Sequence, residues 1–142
     1  MDWQLIEQKL ESLRRALARV RDKCPREAET LSKDYDAQDI LTLNLTRAVQ
    51  LCVDIGAHII ATTDAPAPDT MGGTFDLLHE AGVIDADLAL RMKKAVGFRN
   101  IAVHNYDTVN WDIVHSIAMH RLQDFEAFAL AVVRWLDLSD EQ

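Results

Sequence analysis

The apolar residues Ile6, Leu10, Leu13, Leu17 and Val20 recur at alternating steps of four and three, a spacing that lines one face of an α-helix. Helical periodicity of this kind dominates the chain, and no convincing alternation of apolar and polar residues competes with it. A sequence whose apolar faces are helical stripes has to close its core by packing helix against helix. Its 142 residues, 49% of them hydrophobic and 27% charged, suffice for one packed domain over 1–142.

The punctuation between stripes sets the expected elements. A first helix should run from about Trp3 to Cys24, because Pro25 lacks an amide donor and clashes with the preceding turn. A polar link to about Tyr35 follows. Asp36 is the expected N-cap of a longer helix reaching about Thr63, with Ile40, Leu43, Leu51, Ile55, Ile59 and Ile60 spread around much of its circumference. Such a helix is central, or it contacts both its own bundle and a partner subunit. Asp64 to Gly73, with Pro66, Pro68, Gly72 and Gly73, reads as a loop. Thr74 should cap a short helix to about Ala81, stopped by Gly82. Asp85 or Asp87 opens a helix carrying Leu88, Met92, Ala95 and Val96, and Asn110 caps a last helix to about Leu136 with Ile113, Ile117, Phe125, Phe128, Val132 and Leu136 on one stripe. The expected architecture is all-α: an antiparallel up-and-down bundle of four main helices plus a short helix.

Charge and composition narrow the function. A net charge of -8 argues against wholesale coating of nucleic acid, yet Arg14, Arg15, Arg19, Arg21, Lys23 and Arg26 face only Asp22 in their segment. From Leu88 to Tyr106 lie Arg91, Lys93, Lys94 and Arg99 without an acid, so a local positive surface is expected on an acidic protein. Met1-Asp2-Trp3-Gln4-Leu5 lacks the basic and apolar regions of a signal peptide, and no uninterrupted apolar run nears the roughly 18 residues of a membrane span. The expectation is a cytoplasmic protein with no membrane contact. Cys24 and Cys52 have no metal or disulfide spacing and read as reduced, structural residues. Asp112-x-x-His115 lacks the second such pair and the two further glutamates of a di-iron bundle, so no metal site is expected. His120 diverges from His115 around the helix, His79 sits near a helix end, and Trp3, Trp111 and Trp135 read as packing or interface anchors.

Arg99-Asn100-Ile101-Ala102-Val103-His104-Asn105-Tyr106 gathers an arginine, a histidine and a tyrosine within eight residues. His104 can take a proton from an RNA 2′-hydroxyl or return one to a leaving 5′-oxygen, while Arg99 stabilises charge on the phosphorane. That transesterification needs no metal. Asn100 and Asn105 can orient the substrate or the imidazole, or cap the chain. On an ideal helix Arg99 and His104 stand roughly 140° apart while Arg99 and Tyr106 nearly eclipse. A shared site therefore requires a helix that loosens near His104 or residues from two subunits of a symmetric dimer. On the second helix Arg47, Asp54 and His58 share a face. They read either as a polar network supporting the site or dimer, or as an intrahelical pair and a core histidine.

The motif Phe98 to Tyr106, FRNIAVHNY, resembles that of the HepT-like family of the HEPN superfamily. The basic first helix, the block Leu45 to His58, the stretch Phe75-Asp76-Leu77-Leu78 and Asp124-Phe125-Glu126-Ala127-Phe128 extend the resemblance over almost the whole chain. It implies a HEPN-like helical homodimer acting as a metal-independent endoribonuclease, the toxin of a type VII-like toxin-antitoxin pair whose antitoxin is a minimal nucleotidyltransferase. In that reading RNA is the substrate, no cofactor is required, and Arg99 and His104 are catalytic. Tyr106 is the hydroxyl modified with AMP, which would place bulk and negative charge where RNA phosphate must sit. The alternatives are a non-catalytic HEPN bundle that binds nucleotide or dimerises within a nucleotidyltransferase complex, and a structural helical adaptor.

Overall fold

The computed structural model describes residues 2–140, and every regular element among them is helical. Helix α1 (Trp3–Lys23) begins where the Asp2 carboxylate accepts the Leu5 amide and ends at Cys24, just before Pro25. Its stripe is buried at Ile6, Leu13, Leu17 and Val20. The expected polar link contains one extra turn, α2 (Ala28–Leu31), because Leu31 is fully buried and its carbonyl accepts a hydrogen bond from the buried Gln38 amide. Helix α3 (Tyr35–Ile60) opens earlier than expected: Asp34, not Asp36, caps it by accepting the Ala37 amide. Asp36 falls in the first turn, where a carboxylate still favours the helix dipole. The helix closes at Ile60, short of Thr63, as the Thr62 and Thr63 hydroxyls donate to the carbonyls of Ile59 and Ile60.

By length and hydropathy α3 could cross a membrane, but its apolar positions serve a protein core. Around it pack α1, α4 (Met71–Glu80), α5 (Ala86–His104), α6 (Trp111–His120) and α7 (Leu122–Asp140). Leu41, Leu45, Val49, Cys52, Ile55 and Ile59 are fully buried, which accounts for the wide apolar circumference of this helix. Thr70 rather than Thr74 caps α4, drawing Gly72 and Gly73 out of the loop and into the first turn. Thr74 is instead buried against Gly56, where an added Cβ would lie 2.7 Å from the Thr74 methyl and 2.9 Å from Leu78. Gly82 turns the chain with φ +81, and Asp85 caps α5 through the Leu88 amide.

The expected single last helix is two. Arg121 leaves helical geometry (φ -119, ψ 1), separating α6 from α7. Both halves touch α3, but α6 packs chiefly on α2 while α7 packs on α5, so one straight stripe could not bury both. Val114 and Ala118 are the buried positions of α6, whereas Ile113, expected inward, is 54% exposed. The half-buried His115 ring hydrogen-bonds the Pro25 carbonyl at 2.9 Å and fastens α6 to the end of α1. Phe75 of α4 meets Phe128 of α7 edge to face, with ring centroids 5.7 Å apart, in the middle of the bundle.

Candidate functional site

Leu88, Met92 and Val96 form the core-facing line of α5, and helical spacing puts Arg99 on the same line one turn later. There the core runs out and Arg99 is half-buried, its Nη1 donating to the Asn100 side-chain oxygen at 3.2 Å. The helix does not loosen before His104. It stays regular through that residue, and the Asn105 amide closes it on the Ile101 carbonyl at 2.8 Å before Asn105 departs with φ -149 and ψ 53. Arg99 and His104 therefore stand roughly 140° apart on one rigid helix end. His104 is exposed and leaves that helix end on a different face from Arg99.

Tyr106 does not eclipse Arg99, because it has left the helix for a 3-10 turn (Tyr106–Thr108). Thr108 ties that turn back to the Asn105 carbonyl through its amide and hydroxyl, so Asn105 acts as a cap and turn residue. The Tyr106 hydroxyl crosses to α3 and donates to the Asp39 carboxylate at 3.0 Å, while its ring packs edge to face on Trp111, centroids 5.8 Å apart. The ring remains 39% exposed. Burial, then the Asp39 carboxylate, pushes the tyrosine pKa above its ordinary value, against a smaller opposing effect of Thr42. The sequence carries no signal for Asp39: it is 67 residues from the tyrosine it holds.

Arg47, Asp54 and His58 are not assembled into a network. Asp54 takes a hydrogen bond from Gln50 at 2.9 Å and an ion pair from Lys9 at 3.6 Å, while Arg47 and His58 point into solvent. A shared helix face aligns side chains, but closer partners on α1 and α3 claim the carboxylate. Arg47 instead lines a groove between α1 and α3 with Arg14, Arg15 and Arg19. Much of the expected positive surface is neutralised. Arg14 pairs with Glu11, Arg21 with Glu126, Lys23 with Asp22, Arg91 with Asp87 and Asp124, and Lys93 with Asp76. Arg15, Arg19, Arg47, Lys94 and Arg99 have no ion-pair partner among the described residues.

Another face of α5 carries an apolar groove of about 500 Å³, walled by Phe98, Ile101, Val109, Ile113, Ile117 and Phe125 and rimmed by Lys94 and Arg121. Ile101 is 49% exposed there. Both cysteines are free, and burial pushes the Cys52 thiol well up. Among the described residues no three His, Cys, Asp or Glu side chains gather as metal ligands.

A family model described as ribonuclease HepT-like matches residues 4–132. An mRNA nuclease HepT of Shewanella oneidensis is 35% identical over 124 residues, 87% of this chain and 92% of that protein. The solved structure of a tri-AMPylated Shewanella oneidensis HEPN toxin in complex with MNT antitoxin is 33% identical with a TM-score of 0.86, over 94% of this chain and 99% of that one. A cytosolic protein of unknown function, YutE from Bacillus subtilis, shares the fold at 15% identity and a TM-score of 0.84, over 98% of this chain and 93% of that one.

Proposed function

Because the chain belongs to the HepT-like ribonucleases of the HEPN superfamily, we propose that it is an RNA-cleaving toxin that uses Arg99 and His104 and is silenced by AMP addition to Tyr106. His104 takes the proton of a 2′-hydroxyl as that oxygen attacks the adjacent phosphodiester, and Arg99 stabilises charge on the phosphorane. Departure of the 5′-oxygen leaves a cyclic phosphate on one fragment. Asn100, which accepts a hydrogen bond from the Arg99 guanidinium, keeps that arginine aimed at the helix end.

One observation carries this reading: an Arg99 without an ion-pair partner among the described residues and an exposed His104 end the same helix, in a chain similar over 87% of its length to an mRNA nuclease. Their divergence around that helix asks for two chains. A homodimer seated on the apolar groove beside Ile101 and Ile113 brings His104 of one protomer towards Arg99 of its partner. RNA phosphates follow the cationic side of α1 and α3, along Arg15, Arg19 and Arg47. The companion protein is a minimal nucleotidyltransferase, as the neighbouring complex of a HEPN toxin with MNT antitoxin suggests, and both act in the cytoplasm.

The test is cleavage of single-stranded RNA in EDTA. Arg99→Ala and His104→Ala should each lower the rate by about 10²–10⁴-fold. Indistinguishable cleavage by the three proteins overturns the catalytic assignment. RNA left intact by all three, with the nucleotidyltransferase still co-purifying, returns the chain to the non-catalytic reading.

A further inference from the structure

Resting on the reading of Tyr106 as the AMP acceptor, we propose that Asp39 is the base of that modification, a carboxylate supplied by the modified chain itself. The Tyr106 hydroxyl has one proton to donate, and it is directed at the Asp39 Oδ1 3.0 Å away. Asp39 is exposed on α3, and no Lys, Arg or His among the described residues lies within ion-pair distance to compete for that oxygen. Trp111 fixes the ring from the other side, so the hydroxyl is presented at a set angle while the tyrosine stays 39% exposed to an incoming enzyme.

A phenol in this setting is a poor nucleophile unaided. Burial and the neighbouring carboxylate both favour its protonated form, so a phenolate is scarcer at neutral pH than for a free tyrosine. A base already hydrogen-bonded to the reacting proton removes that obstacle without prior ionisation. The Tyr106 oxygen attacks the α-phosphorus of ATP held by the nucleotidyltransferase, forming the O–P bond as the bond to the β-phosphate oxygen breaks. Pyrophosphate leaves, and the phenolic proton passes to Asp39. ATP and the Tyr106 hydroxyl are the only reactants consumed, so atoms and charge balance.

The experiment follows AMP addition by intact mass, using the full chain, its nucleotidyltransferase and ATP. Asp39→Asn keeps an oxygen that accepts the hydrogen bond but cannot take the proton. Its rate should fall about 10²–10⁴-fold at neutral pH with the KM for ATP little changed, and Asp39→Glu should recover part of the loss. Raising the pH should restore Asp39→Asn selectively, as the phenol then ionises unaided. A wild-type rate for Asp39→Asn at neutral pH overturns the proposal. So does a loss that is equal at every pH, which would mark a carboxylate that only pins the turn. If Tyr106→Phe gains AMP as wild type does, the tyrosine reading falls and this proposal with it. If Tyr106→Phe gains none while Asp39→Asn reacts normally, only the role of Asp39 falls.

Discussion

Tyr106 is held at two points, its hydroxyl by Asp39 and its ring by Trp111, and each hold has a measurable consequence. Tyr106→Phe deletes the hydroxyl and should leave the toxin uncontrolled: growth should stop on induction with or without the nucleotidyltransferase, whereas the wild type should be rescued by it. Trp111→Ala should cost about 3 kcal/mol or less in urea unfolding, because the indole is only half-buried. At this scale the sequence was legible in composition and silent in geometry. Arg99, His104 and Tyr106 could be singled out by chemistry, but the partners Asn100 and Asp39 differ in kind. Asn100 is adjacent and was within reach of a sequence reading, while Asp39 meets the tyrosine only because α3 and the turn after α5 pack together.

Helix boundaries were legible wherever the signal was backbone chemistry. Pro25 ends α1, Gly82 with its positive φ ends α4, and Asp85 opens α5. Where two capping residues stood close together the choice fell to packing. Asp34 won over Asp36 and Thr70 over Thr74, since Ala37 and Thr74 are needed inside. Asp34→Ala should therefore destabilise the fold by about 1 kcal/mol in chemical denaturation, and Asp36→Ala by clearly less. Between α3 and α4 the absent side chain of Gly56 is what lets Thr74 and Leu78 approach. Gly56→Ala should cost about 1–3 kcal/mol by overpacking, despite the better helix propensity of alanine.

For the whole molecule, the unbroken end of α5 makes the quaternary state a mechanistic question. Arg99→Ala and His104→Ala proteins, each inactive alone, should regain about a quarter of wild-type RNA cleavage when refolded together in equal amounts, because half of the dimers then carry one intact composite site. No recovery would place each site within a single chain. Ile113→Asp, on the exposed rim of the apolar groove, should shift the protein towards monomer in sedimentation and lower cleavage in parallel.

The sequence by itself determined that this is a helical bundle and which reactive groups it carries, because a 3.6-residue period, a proline and the identity of a side chain are local properties of the chain. It could not determine that the last helix breaks at Arg121, that Arg91 and Lys93 are neutralised while Arg15 and Arg19 are not, or that Asp39 accepts a hydrogen bond from the Tyr106 hydroxyl. Those outcomes depend on which helices touch, and contacts between residues far apart in sequence leave no trace in spacing. The tertiary structure also decided that the helix does not loosen before His104: α5 stays regular through that residue, so Arg99 and His104 leave it on different faces.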